Sequence, residues 1–430
     1  MNMELGVALL GPVHPRRIDL ADEVHSRPSE ALETPCRATY VAKLVEPGDR
    51  ARELQHLAEL CARFGAEAPT ATANHFSAGL GALRLKWERH GEFSGYTFFL
   101  EGLSPEPFTE PAVCLLPPGW LAAAPGSVIV AAHAKLAAAP AQGVDATFLA
   151  RYFGANIVMG GDVGEGAGAA YTDFRVHADG FSRFLLIDAG FTARQAGRML
   201  QRLFEIETYR LMALLALPVA QQQSALLTEI ESALAAATAD IAAGQGDDEA
   251  LLHKVTRLAA QVESGLALSQ FRFGACRAYG ELVATRIAEL RERRQPGVQP
   301  IGEFMTRRFA PAIATCAAVA QRLHGLSERV ARASALLSTR VDIAREHQNQ
   351  ALLGSMDRRA KAQLRLQQTV EGLSVAAIVY YAAGLMGYAA KALKSAGLPV
   401  EPDLLVGVSL PLLAALVVLA TRRIRRRVEM

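Results

Sequence analysis

Two uncharged apolar runs near the C-terminus constrain this chain more than any other feature. Leu373 to Ala390 and Leu404 to Thr421 each contain no Asp, Glu, Lys or Arg. A helix of about 18 residues rises roughly 27 Å, close to the roughly 30 Å hydrocarbon core of a bilayer. Buried helices of soluble proteins reach the same length, so the flanking charge decides. Arg358, Arg359, Lys361 and Arg365 precede the first run, and Arg422, Arg423, Arg425, Arg426 and Arg427 follow the second. The connection carries only Lys391 and Lys394. By the positive-inside rule both outer flanks are expected on the cytoplasmic side of a bacterial inner membrane, with 391–403 opposite. The expectation is a transmembrane hairpin over 373–421 and a basic cytoplasmic tail over 422–430 that meets lipid headgroups.

Charge is local rather than global. The net charge of +2 over 430 residues gives no support for nucleic-acid binding, and 51% apolar with 20% charged residues is globular composition with a membrane contribution. Cysteines 36, 61, 114, 276 and 316 are far apart and form no CxxC pair. That fits a reducing compartment and neither a disulfide framework nor a zinc site. The apolar run Leu5 to Leu10 is short, preceded by Glu4 and stopped by Gly11-Pro12, so a signal peptide is not expected. His14, Asp19, Asp22, Glu23 and His25 include ligand types, but no second cluster completes a metal site, and a solvated helix is the simpler reading.

Residues 1–190 read as a cytoplasmic α+β (mixed α/β) domain. Residues 36–45 alternate like a strand, and 49–64 place Leu54, Leu57, Leu60, Cys61 and Phe64 on one side of a helix. Leu83, Leu85 and Trp87, then Tyr96, Phe98 and Leu100, alternate about a glycine-containing turn and predict a hairpin. Ser127 to Ala134 is another strand and Phe148 marks a short helix. The glycines at 160–168 lack Gly-Lys-Ser/Thr and a following helix, so they predict a turn or bulge rather than a phosphate cradle. Asp179-Gly180 predicts a second hairpin between Tyr171–His177 and Phe181–Ile187, with Asp173 and His177 in a turn or cross-strand contact.

Residues 191–372 change texture and read as a helical, coiled-coil stalk. Thr192 is a predicted N-cap, with a helix to Pro218, others over about 220–243 and 249–294, and no proline from 312 to 398. Val319, Leu323, Leu326, Val330, Ala333 and Leu337 step by four and three, a seam that continues less regularly through Val341, Leu352, Met356 and Leu364. Gly325 and Gly354 are the places where one rod would become two.

The runs EVHSRP, TDFRVHADGFSRFLL, RQAGRMLQRLFEIETYR and QNQALLGSMDRRAKAQLRLQQTVEGLSVAAIVYYAAGLMGY resemble a bacterial family of membrane-anchored proteins known only as a domain of unknown function. The resemblance implies anchoring and supplies no catalytic residues. The order of elements is also similar to CorA-type divalent-metal channels, whose Gly-Met-Asn signature lies at the outer end of the first span. Here Gly384-Leu385-Met386-Gly387-Tyr388 stands in that place without asparagine. An anchored homo-oligomer with an unidentified protein partner is the first expectation. Within it, Ala383 and Gly387 permit close helix contacts. A cation channel is the alternative, with Tyr380, Tyr381, Gly384, Met386, Gly387 and Tyr388 as pore or interface candidates. A divalent cation enters only under that alternative, and no other cofactor is expected. Hydrolase, metalloprotease, Walker and kinase signatures are absent from the sequence, so catalysis is not expected.

Overall fold

The computed structural model describes residues 13–18, 20–21, 28–397, 399 and 401–428, with backbone alone at 422 and 424–428. The Leu5–Leu10 run and Asp19, Asp22, Glu23 and His25 lie outside the described residues.

Eight strands form one sheet in the order β2-β3-β4-β1-β5-β8-β7-β6. They are β1 (Cys36–Leu44), β2 (His75–Leu80), β3 (Leu83–Arg89), β4 (Phe93–Glu101), β5 (Ser127–Ala138), β6 (Met159–Val163), β7 (Gly168–Thr172) and β8 (Ser182–Asp188). All neighbours are antiparallel except β5 and β8, which run parallel. Helix α1 (Arg50–Phe64) interrupts the chain between β1 and β2, and α2 (Ala146–Phe153) does so between β5 and β6. The strand order is therefore mirrored about the central β1–β5 pair.

Side-chain alternation divides the sheet's two faces. On one face Leu85, Trp87, Tyr96 and Phe98 pack with Leu57 and Leu60 of α1 and with Trp120. Leu185 and Ile187 pack there with Leu149 and Phe153 of α2. The other face meets α3 (Ala193–Leu214), where Tyr40 stacks on Phe204 with ring centroids 4.8 Å apart. Thr192 caps α3 in a reciprocal box with Gln195, as its position before the periodic run predicts.

The glycines at 160–168 do form a turn joining β6 to β7, with Gly164 and Gly166 at φ 61° and 93°. The Asp179-Gly180 turn is also present: the His177 amide donates to Phe181 O at 3.0 Å and that of Gly180 to His177 O at 2.9 Å. Strand β7, however, stops at Thr172 rather than reaching His177. Phe174 has φ 50°, and buried Asp173 accepts from Asn156 (2.8 Å), His177 (2.9 Å) and the Arg175 amide (3.2 Å), which replaces ladder bonds by a local loop.

Helices follow: α4 (Ala216–Ala243), α5 (Asp248–Leu290), α6 (Ile301–Arg308), α7 (Ala310–Ser395) and α8 (Pro402–Val428). The break after α3 falls at Leu215, not Pro218. Pro218 sits in the first turn of α4, where its missing N–H has no intrahelical partner to lose. Helix α5 ends at Leu290, with Arg291 at φ 50°, earlier than the expected 294. Gly325 and Gly354 lie inside α7 without breaking it, so residues 310–395 are one helix of 86 residues.

The chain divides into two compact units. The first comprises 1–245 and 253–333, the second 246–252 and 334–430. In the first, Leu227, Ile230 and Leu234 of α4, Val255 and Val262 of α5, and Val319, Leu323, Leu326 and Val330 of α7 are buried. Arg322 pairs with Glu231 at 2.8 Å. In the second, Leu251, Leu337 and Val341 are buried, and Asp248 and Glu249 pair with Arg340 (3.1 Å) and Arg345 (2.7 Å).

Candidate functional site

By length and composition two helices can cross a membrane, the C-terminal part of α7 and most of α8. They touch through small residues. Ala383 and Ala390 are buried, and a Cβ on Gly387 would lie 3.6 Å from Val406 of α8. Ala383, Gly387 and Ala390 recur at four and three residues, one helix face, which lets the backbones approach. Met386 is half-buried beside this seam. The remaining candidates lie elsewhere on α7: Tyr380, Tyr381 and Tyr388 are 76%, 72% and 75% exposed, and a Cβ on Gly384 would meet nothing within 4 Å. The structure thus separates the six, placing Gly387 and Met386 at the helix contact and Tyr380, Tyr381, Gly384 and Tyr388 away from it. Of the topology-setting residues, Arg358, Arg359 and Lys361 are exposed on α7, with Lys361 2.7 Å from Asp357. Arg423 is exposed on α8, whereas the side chains of Arg422, Arg425, Arg426 and Arg427 lie outside the described residues.

A second set of polar groups is buried in the sheet. Fully buried Glu53 of α1 accepts from Trp87 Nε1 at 3.1 Å and from Tyr96 OH at 2.7 Å. Burial, with Glu53 beside it, pushes the Tyr96 hydroxyl pKa up. Lys43 donates to the carbonyls of Leu121 and Ala124, and burial pulls its pKa down. Burial does the same to His133, to about 4; its Nδ1 lies 3.0 Å from Thr39 Oγ1 and its ring stacks on Phe181 at 3.9 Å.

On the opposite face Lys86 reaches Glu88 (3.0 Å) and Gln201 of α3 (3.2 Å), and Gln201 donates to Glu205 (2.8 Å). Glu205 pairs with Arg286 of α5, while Glu289 accepts from Arg286 (3.1 Å) and Arg202 (2.9 Å). Glu92, in the β3–β4 turn, holds Arg272 at 2.8 and 3.0 Å and Tyr279 at 3.1 Å. These bonds tie α5 to the sheet at two places. The cavity between sheet and α3 is about 30 Å³, enough for a water or two and not for a substrate.

Sequence spacing missed a cysteine pair. Cys276 of α5 and Cys316 of α7 are both buried and hydrogen-bond through their thiols. Burial and this contact push the Cys276 thiol up to about 12, away from the thiolate that reactive cysteines need. Only tertiary packing brings them together. Among the described residues no group of three or more His, Cys, Asp or Glu is placed to hold a metal ion.

The fold defines an α+β protein whose sheet is joined to a long helical array ending in two helices apolar enough to cross a membrane. The chain belongs to the family described as protein of unknown function (DUF3422), whose sequence profile matches residues 12–428. No curated protein and no solved structure matches it, so the architectural likeness to CorA-type channels gains no support from those comparisons.

Proposed function

We propose that this protein is a membrane-anchored homo-oligomer whose sheet and helices recruit a protein partner on the cytoplasmic side of a bacterial inner membrane, without catalysis of its own. Helices α7 and α8 form the spanning hairpin, and the arginine flanks hold both termini inside. One observation carries the oligomer: beyond Val341, α7 continues toward its apolar end with Leu352, Leu353, Met356 and Leu364 exposed at 61%, 65%, 64% and 53%. Apolar side chains on so long a helix are costly in water and are stabilised by packing against other helices.

Light scattering of the full-length protein in detergent tests this. A defined multiple of 46.0 kDa is expected, and a strictly single-copy particle refutes it. The channel reading draws on Tyr380, Tyr381 and Tyr388, whose side chains are exposed on an apolar helix, with Glu401 and Asp403 near the turn. Divalent-cation uptake into proteoliposomes would move the assignment to a channel. No uptake is the result expected.

A further inference from the structure

Along α5, α6 and α7 of the first unit runs an open groove built from two adjoining hollows of about 590 and 730 Å³, which share Arg277, Ile313 and Ala317. On α5 its lining extends from Leu266 to Ala288, roughly 33 Å of helix. The wall is mostly apolar and small: Gly280, Ala284 and Ala288 of α5 face Ala310, Ala314 and Ala317 of α7. Small side chains leave a trough into which another helix can settle closely.

The charges in this groove are few and lie one helical turn apart. Arg277 and Glu281 are the only Arg, Lys, Asp or Glu in its lining; both are exposed, and neither forms an ion pair among the described residues. A trough carrying one unpaired cation and one unpaired anion on its own wall is complementary to a second copy of itself shifted by a turn. A lipid chain or other apolar ligand would use neither charge.

We infer that this groove is the surface through which copies of the chain associate, with Arg277 of one copy opposite Glu281 of the next. The inference rests on the oligomeric reading above and names the surface that serves it. The two charges then set the register between copies while the small residues supply close packing, the division of labour typical of interfaces in which polar groups confer specificity.

Charge reversal tests this on the full-length protein in detergent, read by light scattering across a dilution series. Arg277→Glu and Glu281→Arg singly place like charges together and should weaken association about tenfold or more. The double reversal should restore the wild-type mass. Ala284→Trp fills the trough and should also lower the mass, and circular dichroism checks that each variant stays helical. A wild-type multiple of 46.0 kDa left unchanged by every variant overturns the inference and leaves the oligomer standing. A wild-type particle of one copy overturns both. Loss of association with Ala284→Trp but indifference to both charge reversals, accompanied by loss of a co-purifying lipid, assigns the groove to an apolar ligand and also overturns the inference.

Discussion

Replacing Glu53 by leucine tests whether a buried carboxylate organises the face of the sheet under α1. The change leaves the indole N–H of Trp87 and the hydroxyl of Tyr96 without the acceptor they share, and Arg50, 3.5 Å from Glu53, loses its carboxylate. Each orphaned buried donor costs about 1–3 kcal/mol, and the leucine offsets part of that by burial, so a net loss of about 3 kcal/mol is expected. Glu53→Gln keeps an acceptor at the same place and should cost about 1 kcal/mol. For a unit that comprises 1–245 and 253–333 the unfolding entropy is about 0.7 kcal/mol/K, so 1 kcal/mol corresponds to about 1.5 °C and the leucine variant should melt about 4–5 °C lower, with glutamine between it and wild type. Tryptophan fluorescence reads this unit selectively, because the chain's 2 tryptophans, Trp87 and Trp120, both lie in that cluster. A leucine variant melting within 1 °C of wild type would show that Glu53 does not hold Trp87 and Tyr96 in place.

Two further outcomes follow from the same unit. His133 is held neutral to about pH 4, so between about 6.5 and 4 the unfolded chain binds more protons than the folded one. Stability should fall as pH drops through that window, by about 3 kcal/mol in all; His133→Asn should flatten the acid limb of the melting-temperature profile, and an unchanged limb would contradict the assignment. A Cβ on Gly197 of α3 would run into the backbone carbonyl of Glu30, so Gly197→Ala should cost about 1–3 kcal/mol despite alanine's better helix propensity. Equal or higher thermal stability would show that residues 28–32 are not packed on α3.

Much of the scaffold was legible because local periodicity and burial agree. Leu57, Leu60 and Cys61 of α1 and the alternation of Leu83, Leu85 and Trp87 in β3 all point at one core. The positions from Val319 to Leu337 that step by four and three are buried, whereas Leu352, Met356 and Leu364, where that pattern continues less regularly, are exposed. Where the reading was open or failed, the deciding contact is tertiary or a loop overrides propensity. The parallel pairing of β5 with β8 leaves no local mark on either strand. Asp173 and Phe174 end β7 early. Gly325 and Gly354 cost about 1 kcal/mol each, too little to break a helix this long.

At the candidate sites the same limit applies. Ala383 and Gly387 were legible as a close helix contact because four-residue spacing shows one face. Glu53, the Cys276–Cys316 contact and the groove bearing Arg277 and Glu281 were not, because each depends on elements distant in sequence.

If α7 and α8 cross the bilayer and return, as proposed above, Ser355 and Ser395 bracket the first crossing. In full-length protein with exposed Cys114 replaced by serine, single cysteines at Ser355 and Ser395 are reacted with a membrane-impermeant maleimide in oriented vesicles. Labelling of the two positions from opposite faces is the result predicted. Labelling of both from the same face would contradict the spanning hairpin.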